Sequence, residues 1–255
     1  MSSKPSDFHD CFSTQAAAYA RFRPHYPDEL YDFLNSLCEV RDLAWDCATG
    51  NGQAAVALSK FFKQVVATDA STEQIRHALP CPGVTFKVAT AEQSGLSDAS
   101  VDLITVATAA HWFDQQRFFS EAARVLKPKG VLAIWSYGFM AIAPGVDAVL
   151  KEFHEQVLAK HWPMGILADL PKFYRGLQLP WPRLKTPEFK LEIHRDIEWW
   201  FEHIRTWSAT QAAIRATGSD PLSPAWEQRF RDAWGPVKVR TISWPLSLAI
   251  ALKSK

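Results

Sequence analysis

Between Leu43 and Ile134, short apolar runs alternate with segments whose apolar positions recur every three or four residues. That rhythm is the signature of β-α-β units laid side by side in a parallel sheet. Residues 43–47 read as a first strand, followed by a glycine-containing turn and a helix over residues 53–62. Residues 65–68 form a second strand, ended by Asp69. Ser71 or Thr72 caps the next helix, which runs to about Ala78 and is stopped by Pro80 and Pro82. Residues 84–89 and 101–106 are the third and fourth strands. Asp114 is placed to cap a helix carrying Phe118, Phe119, Ala122, Val125 and Leu126 at helical spacing. Lys127-Pro128-Lys129-Gly130 ends that helix, and residues 131–135 make the fifth strand.

Beyond Tyr137 the alternation stops. Val146, Val149, Leu150, Phe153, Val157 and Leu158 mark an amphipathic helix, and residues 163–187 form a Pro- and Trp-rich connection with little periodicity. Asp196 opens a helix dense in aromatics (Trp199, Trp200, Phe201, Trp207). The segment 236–252 holds two β-like runs separated by Trp244-Pro245, a terminal hairpin expected to join the main sheet. The chain thus divides into a core over residues 1–137, a helical insertion over 138–233 and the hairpin over 234–255.

Composition narrows the function classes. Lys and Arg number 28 against 27 Asp and Glu, a net charge of +1, with no stripe of one sign. A general binder of nucleic acid or of an anionic membrane needs a basic excess, so neither partner is expected. The longest apolar runs fall well short of the about 18 residues that span a bilayer. Asp7, His9 and Asp10 stand where an export signal carries its apolar core, which makes a cytoplasmic location the expectation. Cys11, Cys38, Cys47 and Cys81 are far apart, with no C-x-x-C pair, so reduced thiols and no metal are expected. The chain has 11 Trp, as many as its Gly, and eight of the Trp follow residue 160. Flat aromatic faces concentrated in the insertion can line an apolar pocket or a cation cage, or simply form a core.

The segment Asp46-Cys47-Ala48-Thr49-Gly50-Asn51-Gly52 follows a strand and opens a helix, at the sheet edge where open α/β folds bind ligands. Taken alone, Gly50-x-Gly52-x-x-Ala55 reads either as a tight turn or as a dinucleotide fingerprint, with Asp69 spaced to hold ribose hydroxyls. Asp46 favours a cationic ligand, because a diphosphate would be repelled there. Ala91-Glu92 follows the third strand, where an acid and backbone N–H groups can read an adenine edge.

As a set, DCATGNG, VVATDAS, TAEQSGL and RVLKPKGVLAI resemble the class I S-adenosylmethionine-dependent methyltransferases. The resemblance spans about residues 12–135 and implies a Rossmann-like, doubly wound seven-stranded sheet closed by an antiparallel hairpin. It implies S-adenosylmethionine as cofactor and S-adenosylhomocysteine as product. Cofactor contacts would fall on Asp46, Ala48, Gly50, Gly52, Asp69, Ala70, Ala91, Glu92 and Ala107. Ala48 stands where the family often has Gly, which costs little unless the backbone needs positive φ. FSTQAAAYARFRPHYPDEL, AAHWFD, TWSAT and SWPL are similar to the small-molecule subgroup that includes trans-aconitate methyltransferase. That likeness implies an N-terminal lid over about residues 8–37, with Tyr19 and Arg23 at the cofactor's methionine end.

The methyl acceptor's side falls after the fourth strand, at His111-Trp112-Phe113-Asp114. His111 can orient or deprotonate an acceptor, or pack against the lid while Asp114 caps the helix. Tyr137 is a second candidate base, and Trp112, Trp135, Tyr137 and Arg175 are candidate acceptor contacts. A carboxylate acceptor needs no base, only a cation such as Arg175, Arg183, Arg205 or His203. The acceptor is expected to be a small molecule, a carboxylic acid in the first instance, with an amine, phenol or thiol as the alternative and a silent cofactor-binding protein as a third reading. A monomer or weak dimer is expected.

Overall fold

The structure, a computed structural model, describes residues 24–162 and 170–254; Tyr19 and Arg23 lie outside them. Seven strands form one sheet: β1 (Leu43–Cys47), β2 (Gln64–Asp69), β3 (Val84–Val88), β4 (Val101–Ala107), β5 (Leu126–Tyr137), β6 (Lys190–Arg195) and β7 (Arg240–Leu252). Their order is β3-β2-β1-β4-β5-β7-β6. The first five run parallel, and β7 is antiparallel to both β5 and β6. The order reverses between β1 and β4, which opens a ligand crevice at the carboxyl ends of those strands.

β1 and β4 are buried along nearly their whole length, as central parallel strands covered on both faces must be. Trp45, Ile104, Leu132 and Ile134 face α4 (Gln115–Val125) through Phe118, Ala122 and Val125. Ala44, Leu103, Ala133 and Trp135 face the opposite layer, α1 (Asp28–Ser36) and α2 (Gln53–Leu58), through Leu30, Leu34, Ala55 and Leu58. Between these strands lie α3 (Thr72–Arg76) and, past β5, α5 (Pro144–Phe153), α6 (Leu170–Gly176), α7 (Ile197–Arg205), α8 (Ser208–Thr217) and α9 (Pro224–Trp234). A third core joins Phe153 of α5, Trp200 and Ile204 of α7, Phe230 and Trp234 of α9, Leu191 of β6 and Trp244 of β7.

Three elements depart from the sequence expectation. Helix α4 ends at Val125 and β5 begins at once, with no separating turn. The residues expected to stop the helix lie instead in an irregularity of the β4–β5 ladder, where Val101 pairs with Leu126 and Leu103 with Val131. Gly130 makes that irregularity possible, because a Cβ there would sit 2.8 Å from Leu126 Cδ2 and 2.9 Å from the Lys127 carbonyl oxygen. The antiparallel end of the sheet is present, but its two strands are not the two halves of 236–252. β7 runs unbroken through Trp244-Pro245, and its edge partner β6 comes from within 138–233. Residues 240–245 pair with β6 and residues 246–252 with β5. Pro245, which has no N–H to give a ladder, sits at the handover. Finally, α6 forms inside the stretch expected to lack periodicity. No helix among the described residues is long and apolar enough to cross a membrane.

Candidate functional site

The loop from β1 to α2 is built on left-handed backbone: φ is +55° at Ala48, +58° at Gly50 and +92° at Gly52. Gly52 is doubly constrained, since a Cβ would lie 2.7 Å from the Phe86 ring. Ala48 therefore meets the condition under which alanine is costly there, a left-handed φ on a residue with a Cβ. The Gly50 N–H donates to Asp69 Oδ2 and the Ser71 N–H to Asp69 Oδ1, both at 2.8 Å. Asp69 thus pins the loop from the end of β2.

Asp46, 1% exposed, ends β1 behind this loop. Thr105 Oγ1 donates to its Oδ1 at 2.7 Å and Thr49 Oγ1 to its Oδ2. Burial raises its pKa to about 6 against the pull of those hydrogen bonds and the Ala55 N–H, and the neighbouring charge that contributes is the like charge of Asp69. A buried acid beside hydroxyls, an N–H and a second acid is suited to a cationic ligand.

Past β3, Ala91 is buried and Glu92 half-buried. Glu92 Oε1 accepts the Asp114 N–H at 3.1 Å, and Asp114 Oδ1 accepts the Arg117 N–H at the start of α4. The same loop is anchored by Ser94, whose N–H and hydroxyl both donate to Glu121 Oε1. Arg124, hydrogen-bonded to Glu121, leads the causes that hold the Glu121 carboxyl down at about 2. The sequence reading missed this anchor; the i, i+3 acid–base pair on α4 was its only signal. At the end of β4, Ala107 pairs with Trp135, and Thr108, at φ +54°, holds Tyr26 Oη at 2.9 Å through its hydroxyl. Asp69, Ala70, Ala107, Trp112 and Tyr137 keep partial exposure.

His111, on a short 3-10 turn (Ala110–Trp112), is 7% exposed, and burial lowers its pKa to about 4. Its Nδ1 lies 3.0 Å from Tyr174 Oη of α6. Tyr174 is fully buried, and its raised pKa is dominated by that burial, opposed by hydrogen bonds from the Ala110 N–H, the Ser136 hydroxyl and the His111 N–H. The roles in the His111–Tyr174 contact follow the imidazole tautomer: with the ring proton on Nε2, the phenol donates to Nδ1. Tyr174 was not foreseen, because α6 is too short to show a period.

The remaining candidates separate. Tyr137 lies 6.3 Å from Tyr26 and 6.4 Å from Trp244, ring to ring. Trp135 is fully buried, edge-on to Tyr26 and Tyr31, so its side chain offers no surface to an acceptor. Arg175 is exposed on α6. Arg183 donates to the carbonyls of Tyr174, Leu177 and Leu248. Arg205 is bound to Glu202, Asp220 and Glu227. His203 is buried and stacked on Trp199 at 5.3 Å. Among the described residues no group of His, Cys, Asp and Glu is arranged to hold a metal.

The methyltransferase-domain family model matches residues 45–134. A Dictyostelium discoideum protein classed as a methyltransferase is 34% identical over 98% of this chain and 97% of its own. A Mycobacterium tuberculosis protein classed as an S-adenosylmethionine-dependent methyltransferase is 31% identical over 58% of this chain and 54% of its own. A solved structure from Anaeromyxobacter dehalogenans, described as a type II methyltransferase, is 38% identical, with a TM-score of 0.83 over 91% of this chain and 99% of that one. A loop of left-handed backbone pinned by Asp69, a buried acid behind it, and near full-length relatives of one kind lead to one conclusion: the chain belongs to the class I S-adenosylmethionine-dependent methyltransferases.

Proposed function

We propose that the protein methylates a small molecule whose attacking atom arrives with no proton to lose, a carboxylate being the simplest such group. Asp46, the loop 48–52, Asp69, Ala70, Ala91, Glu92 and Ala107 would hold the cofactor, with Asp46 toward its ammonium end. When bound, S-adenosylmethionine supplies a sulfonium methyl group, which the acceptor takes as the sulfur keeps the electron pair of the broken bond. The chain's part is then to orient the acceptor and exclude water.

The observation that carries this reading is the His111–Tyr174 contact at 3.0 Å. With the ring proton on Nε2, Nδ1 accepts a hydrogen bond from the Tyr174 phenol, and the Nε2–H of His111 then serves an acceptor as a donor rather than as a base. A carboxylate accepts such a bond, whereas a phenol, thiol or ammonium group would need its proton removed. Arg183 and Arg205 are spent on protein partners, which leaves the exposed Arg175 for the acceptor's charge. The trans-aconitate-like segments of the sequence support the same substrate class.

The test is transfer of labelled methyl to panels of small carboxylic acids, phenols, thiols and amines, with esters identified by release of label as methanol in base. His111→Gln, which keeps an N–H near the Nε2 position, is expected to retain activity within about tenfold, with a rate flat from pH 6 to 8.5. His111→Ala should lose on the order of a hundredfold. Equal loss of about 10²- to 10⁴-fold in both variants, with a wild-type rate rising through an imidazole pKa, would mark a general base and overturn the reading.

A further inference from the structure

We propose that the helical cap holds a subsite for an uncharged hydrogen-bonding oxygen on the far end of the acceptor, framed by Phe139 and Trp207 and read by His154, Trp162 and Thr210. The proposal rests on the small-molecule reading above and adds to it the chemistry of the acceptor's second end.

Buried polar atoms without partners are rare, because each gives up its water for nothing. Among the described residues four side-chain atoms are buried and unpaired: Trp135 Nε1 lies in the sheet, and His154 Nε2, Trp162 Nε1 and Thr210 Oγ1 all lie in the cap. The His154 and Trp162 rings are 5.5 Å apart, centre to centre, and Trp162 is 6.1 Å from Trp207. Phe139 closes the ring of aromatics, 4.5 Å from His154 and 6.3 Å from Trp207. Thr210 is fully buried on α8, three residues past Trp207 and so on the same helical face, and α8 packs against residues 154–161.

One local feature is unusual for a mere core. His154 opens a π-helical segment (His154–Leu158), a departure from regular helix that recurs at ligand sites. The group of rings is also continuous with the site already described: Tyr26, Tyr137, Trp244, His203 and Trp207 follow one another at 6.3, 6.4, 5.5 and 6.1 Å.

The donor set defines the guest. Trp162 Nε1–H can only donate, while Thr210 and a neutral His154 can donate or accept. The matching group is an oxygen that accepts at least one hydrogen bond on a flat or apolar frame, such as a carboxamide, ketone or alcohol. A charge is unsuited, since Arg205, two residues before Trp207, is committed to three carboxylates.

Benzamide is the probe, with benzoate as its charged counterpart, titrated into protein saturated with S-adenosylhomocysteine while the tryptophan indole N–H resonances are followed. The Trp162 signal is identified by its loss in Trp162→Phe. The expected result is a saturable shift of that signal by benzamide, at least tenfold weaker binding of benzoate, and at least fivefold weaker benzamide binding in Thr210→Val and His154→Phe. Affinity for S-adenosylhomocysteine should not change in either variant, which shows that they are folded. A silent Trp162 signal, or wild-type benzamide affinity in Thr210→Val, overturns the subsite. Methyl transfer to small acids with a silent Trp162 would sink this proposal alone. A responsive Trp162 in a protein that methylates no small molecule would uphold the subsite and sink the function proposed above.

Discussion

Asp46 is costly to keep charged where it stands, and that cost has a sign. Its pKa rises from 3.8 to about 6 on folding, chiefly through burial. Between those values the folded chain holds a proton that the unfolded chain has released. Stability from this group is therefore full below pH 3.8 and lost as pH rises through 6, on the order of 3 kcal/mol. With Asp46 facing the cofactor's ammonium group, as proposed, the same proton competes with the ligand. Cofactor affinity should weaken by up to about tenfold per pH unit below 6, and Asp46→Asn should bind more weakly at pH 7.5 but with no such dependence. Calorimetric titrations from pH 5 to 7.5 check this, and a flat wild-type profile would contradict it. His111 acts oppositely: with its pKa lowered to about 4, it destabilises the fold as pH falls from 6.5 toward 4. The acids were legible in the sequence because their spacing from Gly50 and Gly52 is itself the motif. Tyr174 and Thr108 were not, because a buried phenol and a threonine at positive φ acquire their roles only through contacts across the fold.

At the scale of elements, the loop from β1 to α2 makes two opposite predictions from neighbouring positions. Ala48→Gly relieves a left-handed alanine and should stabilise by up to about 1 kcal/mol, the gain being trimmed by the extra freedom of glycine in the unfolded chain. Gly52→Ala imposes both the φ penalty and the clash with Phe86, and should cost about 2 kcal/mol or more along with cofactor affinity. Urea unfolding of the two variants measures both, and equal effects would refute the argument. The parallel strands β1 and β4 could be read from sequence because burial on both faces demands mostly apolar residues without a two-residue period. β6 was missed although Lys190–His194 alternates polar and apolar: the run holds only two apolar residues, and Leu191 alone is buried on this edge strand. β7 was misread for a different reason. Trp244-Pro245 looks like a break, but Pro245 marks a change of partner within one strand.

For the whole molecule, that strand joins what the composition divides. Ile242 and Trp244 of β7 belong to the cap core, and Ala249 and Ile250 of the same strand to the two cores flanking the sheet. Cap and sheet should therefore unfold together, in one denaturant transition with coincident tryptophan fluorescence, weighted to the cap, and far-ultraviolet circular dichroism. Two separated transitions would show that the handover at Pro245 does not couple them. The division into a helical cap and a methyltransferase core, which the concentration of tryptophan suggested, is then one of composition rather than of stability.

The placement of β7 also sets an order on biosynthesis. Val131 of β5 waits for Leu252, and Lys129 for the carbonyl of Lys253, while Lys253 Nζ donates to the Ala123 and Leu126 carbonyls at the end of α4. Throughout translation of the intervening residues, one edge of β5 stands open with Leu132 and Ile134 along it, a template for pairing with the wrong chain. The nascent protein is thus most vulnerable while the residues between β5 and β7 are being made, and the emergence of β7 ends the danger.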